Sequence, residues 1–301
     1  MSLKAGTYID TPEKEYRAWP AINYSSLSKF NQSQDHALMA WTSKSYFEEG
    51  SAFELLVEDR AKGTAKFAER FFLADAPGAM PEDLAGWIER GEDLKTQYNL
   101  KDNGERNMRS KKLHAWLDAC RDNPGMMPMG KDQVNMLNKM VDNFMICQPF
   151  ADVGTVDTLA DILPHCNFQV PIFWYTGKMR NKALLDCMLM TSDKIYVFDI
   201  KTVADLSRYQ YALKDYGWIQ EAHYTAGMKR IFPGKEIVWR FLVSSKAEPW
   251  LTRPFQVDPD SMKSGGTEAY YFLCKRYQAW IDEGRPPKGW KNLEKVRIFF
   301  D

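Results

Sequence analysis

No stretch of this chain is apolar enough for long enough to span a bilayer, and the N-terminus lacks a basic region followed by an apolar core and a cleavage site. Neither a membrane protein nor a secreted one is expected. There is no C-x-x-C pair: Cys120, Cys147, Cys166, Cys187 and Cys274 are odd in number and scattered, which argues against a disulfide framework and a zinc ribbon. A reducing cytosol is the expected compartment. Net charge is also missing, since 40 Lys and Arg balance 40 Asp and Glu. That removes any whole-protein attraction to nucleic acid, so DNA binding would need a local basic surface. No internal repeat or low-complexity segment interrupts the chain.

What the chain does have is enough apolar material for a full core. Of 301 residues, 45% are hydrophobic and 10 are Trp, which excludes a disordered chain and suggests one large domain or one domain with an insertion. The insertion candidate is the region 74–131, where Pro77, Pro81, Gly91, Gly104, Pro124, Gly125, Pro128 and Gly130 punctuate short amphipathic stretches.

The most informative stretch runs from Lys182 to Thr202. Two apolar runs meet at Thr191-Ser192-Asp193-Lys194, which reads as a β-hairpin. With the turn centred on Ser192 and Asp193, Asp186 faces Asp199. Alternation puts Ile195, Val197, Asp199 and Lys201 on one face and Tyr196, Phe198, Ile200 and Thr202 on the other. Opposed side chains lie roughly 4.5–5.5 Å apart at Cβ, and like charges there are destabilising unless compensated. Lys201 could neutralise one carboxylate. A hard divalent metal with oxygen ligands would accommodate both and leave Lys201 free for chemistry. The alternative is a pair of strand-end charges on a solvated face, but Ala183, Leu184, Leu185, Met188, Leu189 and Ile195–Phe198 read as strands covered on both sides.

An Asp, 12 residues and then Asp-Ile-Lys resembles the core of the PD-(D/E)XK nucleases, in particular their exonuclease VIII (RecE) and RecB-nuclease branch, phage or prophage type. Gln220-Glu-Ala-His-Tyr224 follows Lys201 after 18 residues and matches the Q-x3-Y motif that these enzymes carry on the next helix. Upstream, Gly50-Ser51-Ala52-Phe53-Glu54 resembles the family's first helical motif, usually G-T-A-x-H, with Glu54 in the place of His. From pattern alone, Glu54 is either a solvated helix position or a buried acid among Ala52, Phe53, Leu55, Leu56 and Val57. The resemblance assigns it to the metal site, where oxygen suits Mg²⁺ as well as nitrogen does.

The resemblance implies an α/β (α+β) fold: a central mixed sheet flanked by helices, in one RecE-like nuclease domain over 1–301 with a helical insertion at about 74–131. It implies a metal-dependent deoxyribonuclease, a 5′→3′ exonuclease that digests one strand of linear double-stranded DNA and leaves 3′ overhangs for a strand-annealing partner. Such enzymes form homo-oligomeric rings around DNA, and they work in the bacterial host cytosol. Asp186, Asp199, Glu54 and the Ile200 backbone carbonyl would hold Mg²⁺, with Mn²⁺ as a substitute. Lys201 would orient or help deprotonate a water and stabilise charge on the phosphoryl oxygens, while Gln220 and Tyr224 would line the site. Some RecB-branch enzymes hold an iron–sulfur cluster through clustered C-terminal cysteines; a lone Cys274 cannot, so neither cluster nor zinc is expected. Two rivals remain open: a structure-specific endonuclease or single-strand exonuclease on the same core, and a catalytically inactive DNA-binding scaffold.

Elsewhere, Ser25 or Ser26 reads as the N-cap of a helical segment Leu27–Phe30, and Ser26 and Lys29 are candidates for contact with a DNA phosphate. Arg106, Arg109, Lys111 and Lys112 cluster as RNMRSKK and could neutralise phosphates without reading bases, although for any one of them a solvated helix face is the better explanation. Helices are expected over Glu48–Asp59, Gln133–Phe150, Trp218–Ile231 and Glu268–Asp282, and strands over Phe168–Tyr175, Ile237–Ser244 and Leu251–Val257. The segment between Thr202 and Trp218 reads as a polar linker.

Overall fold

The computed structural model describes residues 4–9, 11–39, 45–76, 81–92, 94, 111–151 and 154–285. In chain order these form β1 (Gly6–Thr7), α1 (Glu13–Ala18), α2 (Tyr24–Gln32), α3 (Gln34–Leu38), α4 (Ser45–Lys62), α5 (Lys66–Arg70) and β2 (Phe71–Ala74). Next come α6 (Glu82–Glu89), α7 (Lys111–Asp122), β3 (Met127–Gly130), α8 (Lys131–Met145) and α9 (Leu159–Ile162). The remainder is β4 (Asn167–Thr176), β5 (Met179–Met190), β6 (Lys194–Val203), α10 (Tyr209–Ala212), α11 (Trp218–Ile231), β7 (Glu236–Ser245), β8 (Thr252–Phe255), α12 (Pro259–Ser261) and α13 (Thr267–Asp282).

The chain divides into two compact units, 1–40 with 165–243 and 253–301, and 41–164 with 244–252. Composition marked off only 74–131; the second unit is wider and takes in α4 and α8. In the first unit a six-stranded sheet runs in the order β1-β4-β5-β6-β7-β8, with β1, β4, β5 and β6 antiparallel neighbours. This is the mixed α/β fold expected, a central sheet flanked by helices. Its core joins Val170, Ile172 and Trp174 of β4, Leu185 and Met188 of β5, and Ile195 and Val197 of β6 to the buried side chains of α2, α11 and α13.

Helix α11 lies close against the sheet because Gly227 has no side chain. A Cβ there would meet the Trp174 ring at 2.8 Å. Its bounds are the expected ones, stopped by the Pro233-Gly234 turn with Gly234 at φ +89°. The segment before it is a correction to the linker reading. A 3₁₀ turn (Leu206–Arg208), α10 and a π turn (Leu213–Gly217) lead without a break into α11. The sequence there is interrupted by Arg208, Lys214 and Asp215, but Tyr209 and Leu213 are buried and stand four apart, a helical spacing obscured by the exposed Tyr211 between them.

At the N-terminal end, Lys182 on β5 staples the chain to the sheet. Its buried ammonium donates to the carbonyls of Tyr16 (3.0 Å), Arg17 (2.9 Å) and Trp19 (3.0 Å), closing the C-terminal end of α1 as a helix-capping cation does. Burial, then the charge of Arg17, holds its pKa below the ordinary lysine value.

The second unit has its own parallel pair, β2 and β3, and a core of Ala74, Leu84, Trp116, Leu117 and Cys120. Helix α8 stops at Met145, short of Phe150. Among the described residues no helix is long and apolar enough to cross a membrane.

Candidate active site

The β5–β6 ladder has the register read from the sequence. Cys187 pairs with Phe198, Met188 with Val197, Leu189 with Tyr196 and Met190 with Ile195, around a turn at Ser192-Asp193 in which Thr191 N–H donates to Lys194 O at 2.9 Å. Past Cys187 the pairing changes character. The carboxylate of Asp186 reaches across and its Oδ2 accepts the backbone N–H of Ile200 at 2.8 Å, so a side chain takes up a ladder donor.

The other flank of Asp186 is irregular too. Strand β4 pairs Phe168 with Cys187 and Val170 with Leu185, and the register leaves Gln169 opposite Asp186. Gln169 sits at φ +49°, in the left-handed region that a non-glycine residue enters only at a cost of about 1–2 kcal/mol. The two neighbours of Asp186 in the sheet are therefore both released from regular pairing, a pattern associated with sites where a side chain must be re-aimed.

Asp199 is buried, at 2% exposure. Its Oδ1 accepts a short hydrogen bond from Gln220 Nε2 on α11. Lys201 Nζ lies 2.6 Å from Asp199 Oδ2, 4.0 Å from Asp186 Oδ2 and 3.5 Å from the carbonyl oxygen of Ile200. Asp199 Oδ2 is held by the charge of Lys201 alone and has no geometrically sound hydrogen-bond donor despite its burial. Burial raises the Asp186 carboxyl to about 7, with the charge of Asp199 adding to it and Lys201 and the Ile200 N–H opposing. Asp199 is raised by burial against the pull of Lys201 and Gln220. For Lys201, burial works against the charge, but Asp199 and Asp186 outweigh it and hold the group well above the ordinary lysine value.

Helix α11 faces this pair with Gln220 and, one turn on, the buried Tyr224, whose phenol feels Asp199, Asp186 and Lys201. Burial keeps that phenol protonated. His223 is a core group: its Nε2–H donates to Lys182 O at 3.2 Å, which leaves Nδ1 to accept from the Tyr270 hydroxyl at 3.0 Å. Burial drives its pKa down to about 3.

The remaining candidates are placed differently. Glu54 is half-buried on α4, in the second unit. Ser26 is not a cap: Asn23 is, its Oδ1 accepting from Ser26 N and Ser26 Oγ at 2.9 Å each, because the helix begins at Tyr24 rather than Leu27. Lys29 Nζ donates to Met39 O at 3.1 Å, beyond the end of α3. Arg106 and Arg109 lie outside the described residues, and Lys111 and Lys112 open α7 with their side chains outside them.

Whether a metal suits the pair can be judged from the donors. Three oxygens, from Asp186, Asp199 and the Ile200 carbonyl, surround one ammonium, and one of the carboxylate oxygens is buried without a donor. A lysine nitrogen standing among hard oxygens marks a position that a hard cation fits. Among the described residues no group of three or more His, Cys, Asp and Glu side chains that could hold a metal is formed.

No family profile matches the chain, and no curated protein sequence does. A crystal structure of a protein from Eubacterium rectale, provisionally named an exonuclease, superposes with a TM-score of 0.50 over 93% of this chain and 89% of its own, at 9% identity. The two chains share a fold. Protein VC1899 from Vibrio cholerae matches at 11% identity over 94% of this chain and 60% of its own, but its TM-score of 0.18 carries no argument.

Proposed function

We propose that this protein is a metal-dependent deoxyribonuclease of the RecE-like kind, a 5′→3′ exonuclease on linear duplex DNA. The observation that carries the reading is the convergence of Asp186, Asp199, Lys201 and Gln220 at the irregular end of one hairpin. A fold shared with a protein named for exonuclease activity supports it by analogy only.

Asp186, Asp199 and the Ile200 carbonyl would hold Mg²⁺ or Mn²⁺. When bound, such an ion lowers the pKa of a water and polarises a phosphoryl oxygen. The protein's own groups have distinct parts. Gln220 fixes Asp199 through Oδ1, leaving Oδ2 towards the cation position. Asp186 is held by the Ile200 N–H. Lys201, with its pKa raised, is an ammonium at neutral pH; it stabilises charge on a phosphoryl oxygen and does not serve as a base in this state. A ring of copies around the duplex, and an annealing protein to take the 3′ strand, complete the reading.

Digestion of a linear, 5′-phosphorylated duplex tests it. Loss of the linear DNA with Mg²⁺, sparing a closed circle, and abolished by EDTA and by Asp199→Ala, is expected. Cutting of the circle would transfer the reading to an endonuclease, and intact DNA with both Mg²⁺ and Mn²⁺ would leave a DNA-binding scaffold.

A further inference from the structure

The β5–β6 hairpin does not stay closed along its length. Its ladder runs from Met190 opposite Ile195 to Cys187 opposite Phe198 and ends there. Hydrogen-bonded pairs alternate with non-bonded ones in an antiparallel ladder, so a regular continuation would next bond Leu185 to Ile200. That pair is absent from the ladder, and the Ile200 N–H donates to the Asp186 carboxylate at 2.8 Å. The lane that β6 leaves beside β5 is filled from another part of the chain. Ile22, between α1 and α2, forms a parallel bridge with Asn181. Its N–H donates to Arg180 O at 2.9 Å, and its carbonyl accepts from Lys182 N at 2.8 Å. The opposite edge of β5 is already taken at that level by β4, which pairs Trp174 with Asn181 and Phe173 with Lys182, so Ile22 stands on the β6 side.

Each residue brings one backbone donor and one acceptor, and those of Lys182 and Arg180 on this edge are committed to Ile22. To bond Leu185, β6 would have to rejoin β5 and leave it again before Asn181, a stretch too short for a strand. Ile22 is also anchored on both sides. Upstream, the buried Trp19 packs edge-on against Tyr16 (centroids 5.4 Å apart) and Phe173 (6.3 Å), and its carbonyl accepts from Ala21 N at 2.8 Å. Downstream, Asn23 caps α2, whose Leu27 and Phe30 are buried in the core beneath the sheet. The Ile22 side chain packs against the same core. Asp186 stands at the fork, between the last closed pair and the Ile22 bridge.

We propose that the segment Trp19–Asn23 is a wedge that holds the hairpin open at Asp186, and that Ile22 is a positioning residue for the ion site. With the lane filled, the Ile200 N–H stays on Asp186 Oδ2 and fixes the direction of that carboxylate. With the lane empty, β6 closes onto β5, Leu185 O takes the Ile200 N–H, and the Asp186 carboxylate is released from its donor. Groups that orient a ligand without touching the ion are worth about 10–100-fold in metal affinity, and the wedge acts at that level through the backbone. This rests on the reading of Asp186 as an ion ligand.

The test deletes the donor to Arg180 O in the full chain, by Ile22→Pro and by an amide-to-ester exchange that keeps the isoleucine side chain; the ester decides where Ile22→Pro does not fold. Ile22→Val keeps both bonds. Lys182→Met is the control for lost stability, since it frees the α1 carbonyls and leaves the backbone bonds of Ile22 in place. Mn²⁺ affinity, by calorimetry, should fall about tenfold or more in Ile22→Pro and the ester and hold at the wild-type value in Ile22→Val and Lys182→Met. In the metal-free protein labelled with ¹⁵N-isoleucine, the Ile200 amide resonance should move in Ile22→Pro and the ester as it does in Asp186→Ala, and stay put in Lys182→Met. Wild-type affinity and an unmoved Ile200 resonance in the ester would overturn the wedge. Equal losses in Lys182→Met would overturn it too, by making the effect one of stability. A wild type that binds no Mn²⁺ would overturn the ion site, and the Ile200 resonance would still decide for or against the wedge.

Discussion

Two lysines stand at the open end of the same hairpin, Lys182 on β5 and Lys201 on β6, and show what a buried cation can be for. Lys182 is surrounded by neutral carbonyls, three of them within 3.0 Å, and its pKa is pushed down by burial. Lys201 is surrounded by charge, with Asp199 at 2.6 Å and Asp186 at 4.0 Å, and its pKa is pushed up. Lys182 satisfies its surroundings completely: each carbonyl gains a donor and nothing is left over. Lys201 does not, because Asp199 Oδ2 remains without a hydrogen-bond donor. A saturated lysine is a staple, whereas an unsaturated one among acids stands where other cations and anions can exchange.

The largest way to sharpen that contrast is to remove Lys201. Lys201→Met should reduce DNA cleavage by about a thousandfold, the scale of losing one electrostatic donor to a transition state. The same variant should bind Mn²⁺ at least as tightly as wild type at pH 8, measured by calorimetry, since an ammonium no longer occupies the position among the oxygens. Weaker Mn²⁺ binding would mean that the ammonium and the ion do not share that position. Lys182→Met should do the reverse: stability falls by about 2 kcal/mol in urea unfolding, because the α1 carbonyls lose a buried donor, while Mn²⁺ affinity is unchanged.

How much of this was legible beforehand follows from where the physics is local. The register that sets Asp186 against Asp199 came from a two-residue turn between apolar runs, and the α11 bounds came from a helical pattern stopped at Pro233-Gly234. Both are short-range signals. Segment 204–217 was not legible as helix, because a π turn breaks the 3.6-residue period between Leu213 and Trp218 and charged residues dilute what remains. Nothing in the identity of Gln169 announces a left-handed residue; only its partner across the sheet does. Asn23 was legible in principle as a capping residue, but Tyr24 and the serines after it drew the helix start too late.

A comparison of smaller effect lies along α11 itself, between Glu221 and His223. Burial raises Glu221 to about 7, opposed by the Val257 N–H and the charge of Arg240, and lowers His223 to about 3. For Glu221 the folded state keeps a proton between 4.5 and 7 that the unfolded state has lost, so its contribution to stability falls as pH rises through that window. For His223 the unfolded state takes a proton below 6.5 that the folded state refuses down to about 3, so stability falls as pH drops through that range. The two slopes oppose each other between 4.5 and 6.5. Glu221→Gln removes one of them, and its stability relative to wild type should therefore improve by about 2 kcal/mol between pH 5 and pH 8 in urea unfolding. A constant difference across that range would mean that Glu221 ionises normally in the fold.

The smallest expected effect is at Gln169, and its sign is the informative part. Glycine adopts φ +49° without the steric penalty that a Cβ brings, but it also gives the unfolded chain more freedom. If the left-handed turn exists only to keep β4 clear of Asp186, Gln169→Gly should leave stability within about 1 kcal/mol and leave Mn²⁺ binding unchanged, because the backbone path is preserved. Gln169→Val should be worse on both counts. A β-branched side chain resists the left-handed region, so the strand would revert towards regular pairing at the residue opposite Asp186 and pull that carboxylate away from the Ile200 N–H. Equal behaviour of the two variants would mean that the irregularity in β4 has no part in aiming Asp186, and that the β6 side alone holds it.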